Sequence, residues 1–235
     1  MCKCVRKNII DRVEQFGLRA ALAQSYRAMI RSVYKSNRHI VFVIPEFGGY
    51  SFSDSVVKPL TNERIIRAVE EGDLNEREGD ELLGFAGEGC AGVCIEVSER
   101  LAGYSWAQFK GEYRFGRSGL LIIPPRHVVI KNVYVFSKFR GKEFGRMLIA
   151  ACLALMSSGY VPVILTMKEN RRSIRNCEKC GFQRTLEVKR WCWFNRRWHM
   201  SIVRLVDDLY ALRLEQALIE GYGGEFAGSG PRLES

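Results

Sequence analysis

Arg140-Gly141-Lys142-Glu143-Phe144-Gly145-Arg146 separates two apolar runs, Val128–Phe136 and Met147–Met156. The first is rich in β-branched residues and reads as a strand entering the stretch; the second reads as a helix leaving it. A glycine-bearing turn in that setting aims several backbone N–H groups at one spot. The first turn of the helix adds the positive end of its dipole, so the spot attracts a phosphate-bearing ligand. The spacing is neither G-x-x-x-x-G-K-[ST] nor G-x-G-x-x-G, which sets aside the P-loop and the dinucleotide turn.

The stretch resembles the R-x-x-G-x-G/A signature of the GNAT superfamily of acyl-CoA N-acyltransferases. Arg140 fills the first place and Gly145 the last, while Glu143 stands where the family has its middle glycine. A second stretch, Asn170-Arg171-Arg172-Ser173-Ile174-Arg175-Asn176-Cys177-Glu178-Lys179-Cys180-Gly181-Phe182, resembles the family's N-x-x-A/S-I-x-x-Y-E-K-x-G-F, with Cys177 in the tyrosine place. The strand-like run Val161–Met167 lies between them. The close resemblance covers roughly residues 128 to 183. Residues 39 to 127 fit by the order of strands and helices, and Leu101-Ala102-Gly103-Tyr104 is similar to the family's L-v-G-y strand.

The resemblance implies an α/β (mixed α+β) fold: a central, mostly antiparallel mixed sheet with splayed central strands and flanking helices, here with an N-terminal helical extension. It implies acetyl-CoA or another acyl-CoA as co-substrate, and no metal. The backbones of Val133 and Val135 would face the pantetheine arm, which pairs with them like a short added strand. Phosphate would lie on Arg140, Gly141, Lys142, Glu143, Phe144 and Gly145, with Asn170 and Ser173 flanking the cofactor. The implied activity is acyl transfer to a primary amine of a small molecule or amino sugar. A protein amine is the second choice, and a GNAT-fold binding module without turnover is the alternative from another class.

Glu143 would repel a diphosphate if its carboxylate pointed inward. At a helix N-terminus an exposed carboxylate is favoured by about 0.3–1 kcal/mol, so it can face solvent while its N–H still serves phosphate. For the chemistry, a strand rise of about 3.3 Å per residue puts the thiol of an arm starting near Val135 beside Val129-Ile130-Lys131, where no carboxylate stands. His127 is the nearest side chain that titrates near neutral pH; it reads equally as a plain strand start. Cys177, in the place of the family's proton-donating tyrosine, reads either as a weak thiol donor or acyl carrier, or as helix packing.

A formal net charge of +10 over 235 residues suits a phosphorylated ligand, an anionic membrane surface or nucleic acid. Nucleic acid is not expected. The basic aromatic run Trp191–Trp198 reads as a hairpin with one core face, despite the interleaving that single-strand binders use. Eight cysteines without regular spacing, in a chain with no export-signal pattern, read as reduced thiols of a cytoplasmic protein. Cys177-x-x-Cys180 lacks a second ligand pair, so a zinc site is not expected.

Three segments follow: a basic helical extension over 1–38, an acyltransferase domain over 39–206, and a helix with a flexible tail over 207–235. The extension reads as a helix over 8–36, and its basic face offers a peripheral membrane or protein contact. Self-association into a homodimer is left open. Strands are expected at His39–Phe47, Cys90–Glu99, Leu101–Phe109, from about His127, and at Val161–Met167, followed by a hairpin of Gly181–Phe194 and Trp198–Leu205. Helices are expected at Thr61–Glu71, after the glycine turn, in the second motif and at Asp207–Glu220. Residues 110–125 read as a loop, and the chain from Gly221 as a disordered tail.

Overall fold

Tyr34–Val43 forms β1, and its alternation decides how the sheet is covered. Ile40 and Phe42 pack on one face, Val41 and Val43 on the other, because successive strand side chains point to opposite sides. All four are nearly inaccessible to water, and full burial of each stabilises by about 1.5–3 kcal/mol. The computed structural model describes residues 34–52, 54–116, 118–194, 197–222 and 225–231.

A short β2 (Val57–Pro59) leads to α1 (Asn62–Glu70) and α2 (Glu76–Gly87). Thr61 caps α1 through its side chain, and Asn75 with Glu78 closes a reciprocal capping box on α2. The hairpin of β3 (Ala91–Val97) and β4 (Arg100–Gln108) follows, then a small separate hairpin of β5 (Glu112–Phe115) and β6 (Gly119–Ile122). After β7 (His127–Val135) come α3 (Phe144–Ala154), β8 (Val161–Met167), α4 (Arg171–Lys179), β9 (Gln183–Trp193), β10 (Trp198–Arg204), α5 (Leu209–Glu220) and β11 (Glu225–Pro231).

Among the described residues, the main sheet has nine strands in the order β11-β10-β9-β1-β8-β7-β4-β3-β2. Only β7–β8 and β10–β11 pair in parallel; the other neighbours are antiparallel. One face carries α3 and α4, where Leu148, Ile149, Leu153 and Ile174 meet Phe42, Ile130 and Ile164. The other carries α5 and the β5–β6 hairpin, where Leu214, Leu218, Phe115 and Leu121 meet Val129, Val163 and Val188. At one end α1 and α2 cover Trp106 and Leu101. The hairpin is pinned by Arg190, a fully buried side chain whose Nη1 donates to Ser118 Oγ at 3.0 Å and Nη2 to the Phe115 carbonyl at 3.1 Å.

The mixed sheet with flanking helices agrees with the expected fold class. Four local expectations need correction. Residues 34–36, expected at the end of a helix, belong to β1, because β1 is central and pairs along Tyr34–Val43 with β9 and along His39–Val43 with β8. It therefore runs across the expected 38/39 division; the remainder of that helix, with its basic face, lies outside the described residues. The loop expected over 110–125 contains the β5–β6 hairpin, which buries Phe115 and Leu121. The β3–β4 turn falls on Ser98–Glu99, both at positive φ (51° and 65°), one residue earlier than expected. The tail expected from Gly221 includes β11, whose backbone completes the open edge of β10.

Candidate functional site

β7 and β8 pair in register from His127↔Val161 to Ile130↔Ile164, and then part. β8 stays fastened to β1 as far as Met167↔His39, and β7 to β4 as far as Val135↔Gly103. The cause lies at Asn132, whose φ is 52°. There the register of β7 against β4 slips between Tyr104 and Trp106, a bulge that turns β7 away from β8. The Phe136 N–H donates to the Ala102 carbonyl at 3.1 Å. Backbone direction alternates along an antiparallel pair, so Tyr134 also turns its groups to β4, while Val133 and Val135 turn theirs to the gap. Gly103 permits this close approach: a Cβ on it would lie 2.6 Å from the Tyr134 carbonyl oxygen.

Beyond β7 a 3-10 turn, Ser137–Phe139, leads to Arg140 in extended conformation and to Gly141 at φ 94°. Glu143 follows at φ 58° as the N-cap of α3, a left-handed conformation usually left to glycine. The Glu143 carbonyl accepts from Arg146 N (2.8 Å) and Met147 N (3.1 Å), which starts the helix. Among the described residues, no acceptor meets the N–H groups of Gly141, Lys142, Glu143, Phe144 and Gly145. The Glu143 carboxylate is drawn aside by Arg146 at 2.5 Å and Lys179 at 3.7 Å. Arg140 bridges turn and strand, its Nε donating to the Val135 carbonyl at 3.2 Å. Gly145 lets α4 approach α3, since a Cβ there would meet Asn176 Nδ2 at 2.8 Å.

The remaining sequence candidates stand on α4 and at the start of β7. Asn170 caps α4, its Oδ1 accepting from Ser173 N at 3.1 Å. Cys177 is fully buried within the cluster that joins α3, α4 and the sheet. Burial, then the neighbouring Cys180, push its thiol up to about 12. His127 starts β7, eight residues back from Val135, and is 1% exposed. Its Nδ1 lies 3.0 Å from the Pro125 carbonyl, so Nδ1 carries the proton; burial, chiefly, holds the ring below the ordinary histidine range. The structure thus gathers Val133, Val135 and residues 140–145 at one gap, and sets Cys177 and His127 inside the core.

A cleft of about 650 Å³ opens above the Asn132 bulge, on the face opposite α3. Ile130 packs with α3, so its neighbour Lys131 points to this other side. Glu81, Phe85 and Glu88 of α2 form one wall, Gln108 and Lys131 the floor, and the β5–β6 hairpin the opposite wall. Lys131 is 6% exposed, with its Nζ 3.7 Å above the Phe85 ring. Sequence reasoning missed these residues, because α2 read only as an acidic surface segment. The available signal was the period-two alternation of β7, which puts Lys131 and Ile130 on opposite faces.

Residues 60–182 match the model of the acetyltransferase (GNAT) family, just over half of the chain. A comparison with curated protein sequences gave no match. Similar solved structures include a GNAT-family protein from Novosphingobium aromaticivorans, at 15% identity and TM-score 0.47, with 66% of this chain and 63% of that one covered. A GNAT-family acetyltransferase from Colwellia psychrerythraea is similar at 11% identity and TM-score 0.44, covering 68% and 58%. A ribosomal-protein-alanine N-acetyltransferase from Brucella melitensis is similar at 18% identity and TM-score 0.39, covering 54% and 83%. The chain thus spans under two thirds of the length of the first two. Among the described residues, no helix is long and apolar enough to cross a membrane.

Proposed function

The chain belongs to the GNAT family of acetyltransferases, and on that premise we propose that it moves an acetyl or other acyl group from acyl-CoA to a primary amine of a small molecule. One observation carries the reading: the gap between β7 and β8 leads into a turn whose five N–H groups, at a helix N-terminus, meet no acceptor among the described residues. The residues present fit a diphosphate joined to an amide-bearing arm. The N–H groups of Gly141 to Gly145, with the dipole of α3, hold negative oxygens. The backbones of Val133 and Val135 supply the ladder that an extended arm completes. Arg140 keeps turn and strand together, and the ion pairs of Glu143 keep its carboxylate off the anion.

Acyl-CoA, when bound, supplies a carbonyl activated by its thioester. The chain supplies position and proton transfer. Lys131 and Asn132, which line the cleft, are the residues that directly follow the last β7–β8 pair, so an amine seated there would meet the arm's end where the strands part. Glu81 and Glu88, on the α2 wall, can take the ammonium proton directly or through water. A cleft of about 650 Å³ suits a small molecule better than a folded protein surface.

The test is calorimetric titration with acetyl-CoA, followed by thiol release on a broad amine panel. Uptake with turnover supports the reading, and failure to take up acetyl-CoA or longer thioesters sinks it. Uptake without turnover on any amine points instead to an acyl-CoA-binding module.

A further inference from the structure

The floor of the cleft holds two buried polar groups, Gln108 and Lys131, and one of them is left incomplete. Gln108 is 6% exposed, and its Nε2 donates to the carbonyls of Lys110 (3.1 Å) and Glu112 (3.0 Å). Both partners only accept, so the amide cannot be reversed. Among the described residues, no donor meets its buried Oε1. On the adjacent strand Lys131 is equally buried; its amine lies over the Phe85 ring and against the Cys90 thiol, and among the described residues no carboxylate pairs with it. Gln108 lies opposite Val129, and Lys131 is two residues further along β7, so the two are diagonal neighbours. Diagonal Cα atoms stand about 7–8 Å apart, within reach of one compact two-pole group. A buried acceptor without a donor raises the free energy of the empty site, and the Lys131 amine, whose partners are a ring and a thiol, keeps a donor for an anion.

We propose that the acceptor is an amine with a carboxylate close to its nitrogen: an α-amino acid or a compound of that pattern. The carboxylate lies against Lys131, and the amine N–H groups against Gln108 Oε1. This rests on the acyl-transfer reading of the same cleft. In the reaction the amine nitrogen bonds to the thioester carbon, the C–S bond breaks with its electron pair on sulfur, and the surplus ammonium proton leaves through the α2 carboxylates to solvent.

The experiment compares glycine, L-alanine, L-phenylalanine, L-lysine and L-glutamate with methylamine, ethylamine, phenethylamine, cadaverine and 4-aminobutyrate. Thiol release is followed at saturating acetyl-CoA, and binding of the same compounds is titrated by calorimetry with and without CoA. At least one amino acid is expected to exceed its decarboxylated partner about tenfold or more in kcat/KM or affinity, as loss of a hydrogen-bonded charge pair would give. Lys131→Met, checked by thermal melting, is expected to bring that ratio within about twofold. Equal or better handling of the decarboxylated amines overturns the proposal while transfer itself stands. So does absence of both binding and turnover for every amino acid in a protein that takes up acetyl-CoA. If acetyl-CoA is not taken up, the transfer reading fails, and the titrations without CoA still judge the cleft: amino-acid binding abolished by Lys131→Met supports it, and no binding overturns it.

Discussion

Arg146 holds the Glu143 carboxylate at 2.5 Å, one turn into α3, and thereby keeps a negative side chain out of an anion-attracting turn. Glu143 takes a left-handed conformation at φ 58° for which glycine has no steric penalty. Glu143→Gly is expected to relieve about 1 kcal/mol of backbone strain, less a few tenths for the lost exposed pair. The variant is expected to melt slightly higher and bind acetyl-CoA several-fold tighter. Weaker binding in calorimetry would show that the side chain assists the ligand.

Gly103 lets β4 approach β7 where Val133 and Val135 face the gap. In Gly103→Ala the new Cβ would sit 2.6 Å from the Tyr134 carbonyl oxygen and 3.3 Å from Val135 Cα. Backbone cannot rotate aside, so a stability loss of about 1–3 kcal/mol is expected. Acetyl-CoA affinity should fall along with it. Chemical denaturation and calorimetry on the same variant measure both.

Cys177 lies sealed in the core with its thiol pushed up to about 12. At pH 8 iodoacetamide is expected to leave it unmodified in native protein and to label it after denaturation, as mass spectrometry would show. Cys177→Ala should cost about 1–2 kcal/mol of stability through its small cavity and leave kcat within a few-fold. A hundredfold loss of kcat with an intact fold would instead give the thiol a chemical role.

His39 packs edge-on against Phe115 of the hairpin and beside Arg190 of β9. Burial first, and the Arg190 charge second, lower its pKa to about 4 from the usual 6.5. The folded value is below the unfolded one, so the unfolded chain binds the extra proton first. Stability is therefore full above about pH 6.5 and falls as pH drops towards 4, by about 3 kcal/mol in all. His39→Gln should shallow the fall of the melting temperature over that window, leaving the part that buried His127 adds with the same sign. Asp73 titrates lower, at about 2, held by Arg100 and Lys138, and leaves this window clear.

Local chemistry made the turn legible, and the family resemblance implied the gap. Arg140, Gly141 and Gly145 lie within six positions, and the runs on either side declare strand and helix. Sequence could not reveal burial, so Cys177 and His127 stood out as titratable groups although the fold closes over both. The acceptor cleft stayed hidden for a different reason. Gln108, Lys131 and Glu88 meet only through strand register and helix docking, and no spacing rule connects them. The β5–β6 hairpin was masked by Gly111, Gly116 and Gly119, which broke up the alternation of Tyr113, Phe115, Leu121 and Ile123. The segment His39–Phe47 read as a strand, which holds for His39–Val43, but nothing local announced that it would insert between β8 and β9.

That insertion sets a timetable for the newborn chain. Phe42 emerges from the ribosome more than 100 residues ahead of Ile164 and Arg184, the residues opposite it on its two neighbouring strands. At about 5–20 residues per second, an apolar ribbon with two bare edges waits for several seconds or longer before it is enclosed. The strand that locks the centre of the finished sheet is therefore the part of this protein most in need of a chaperone.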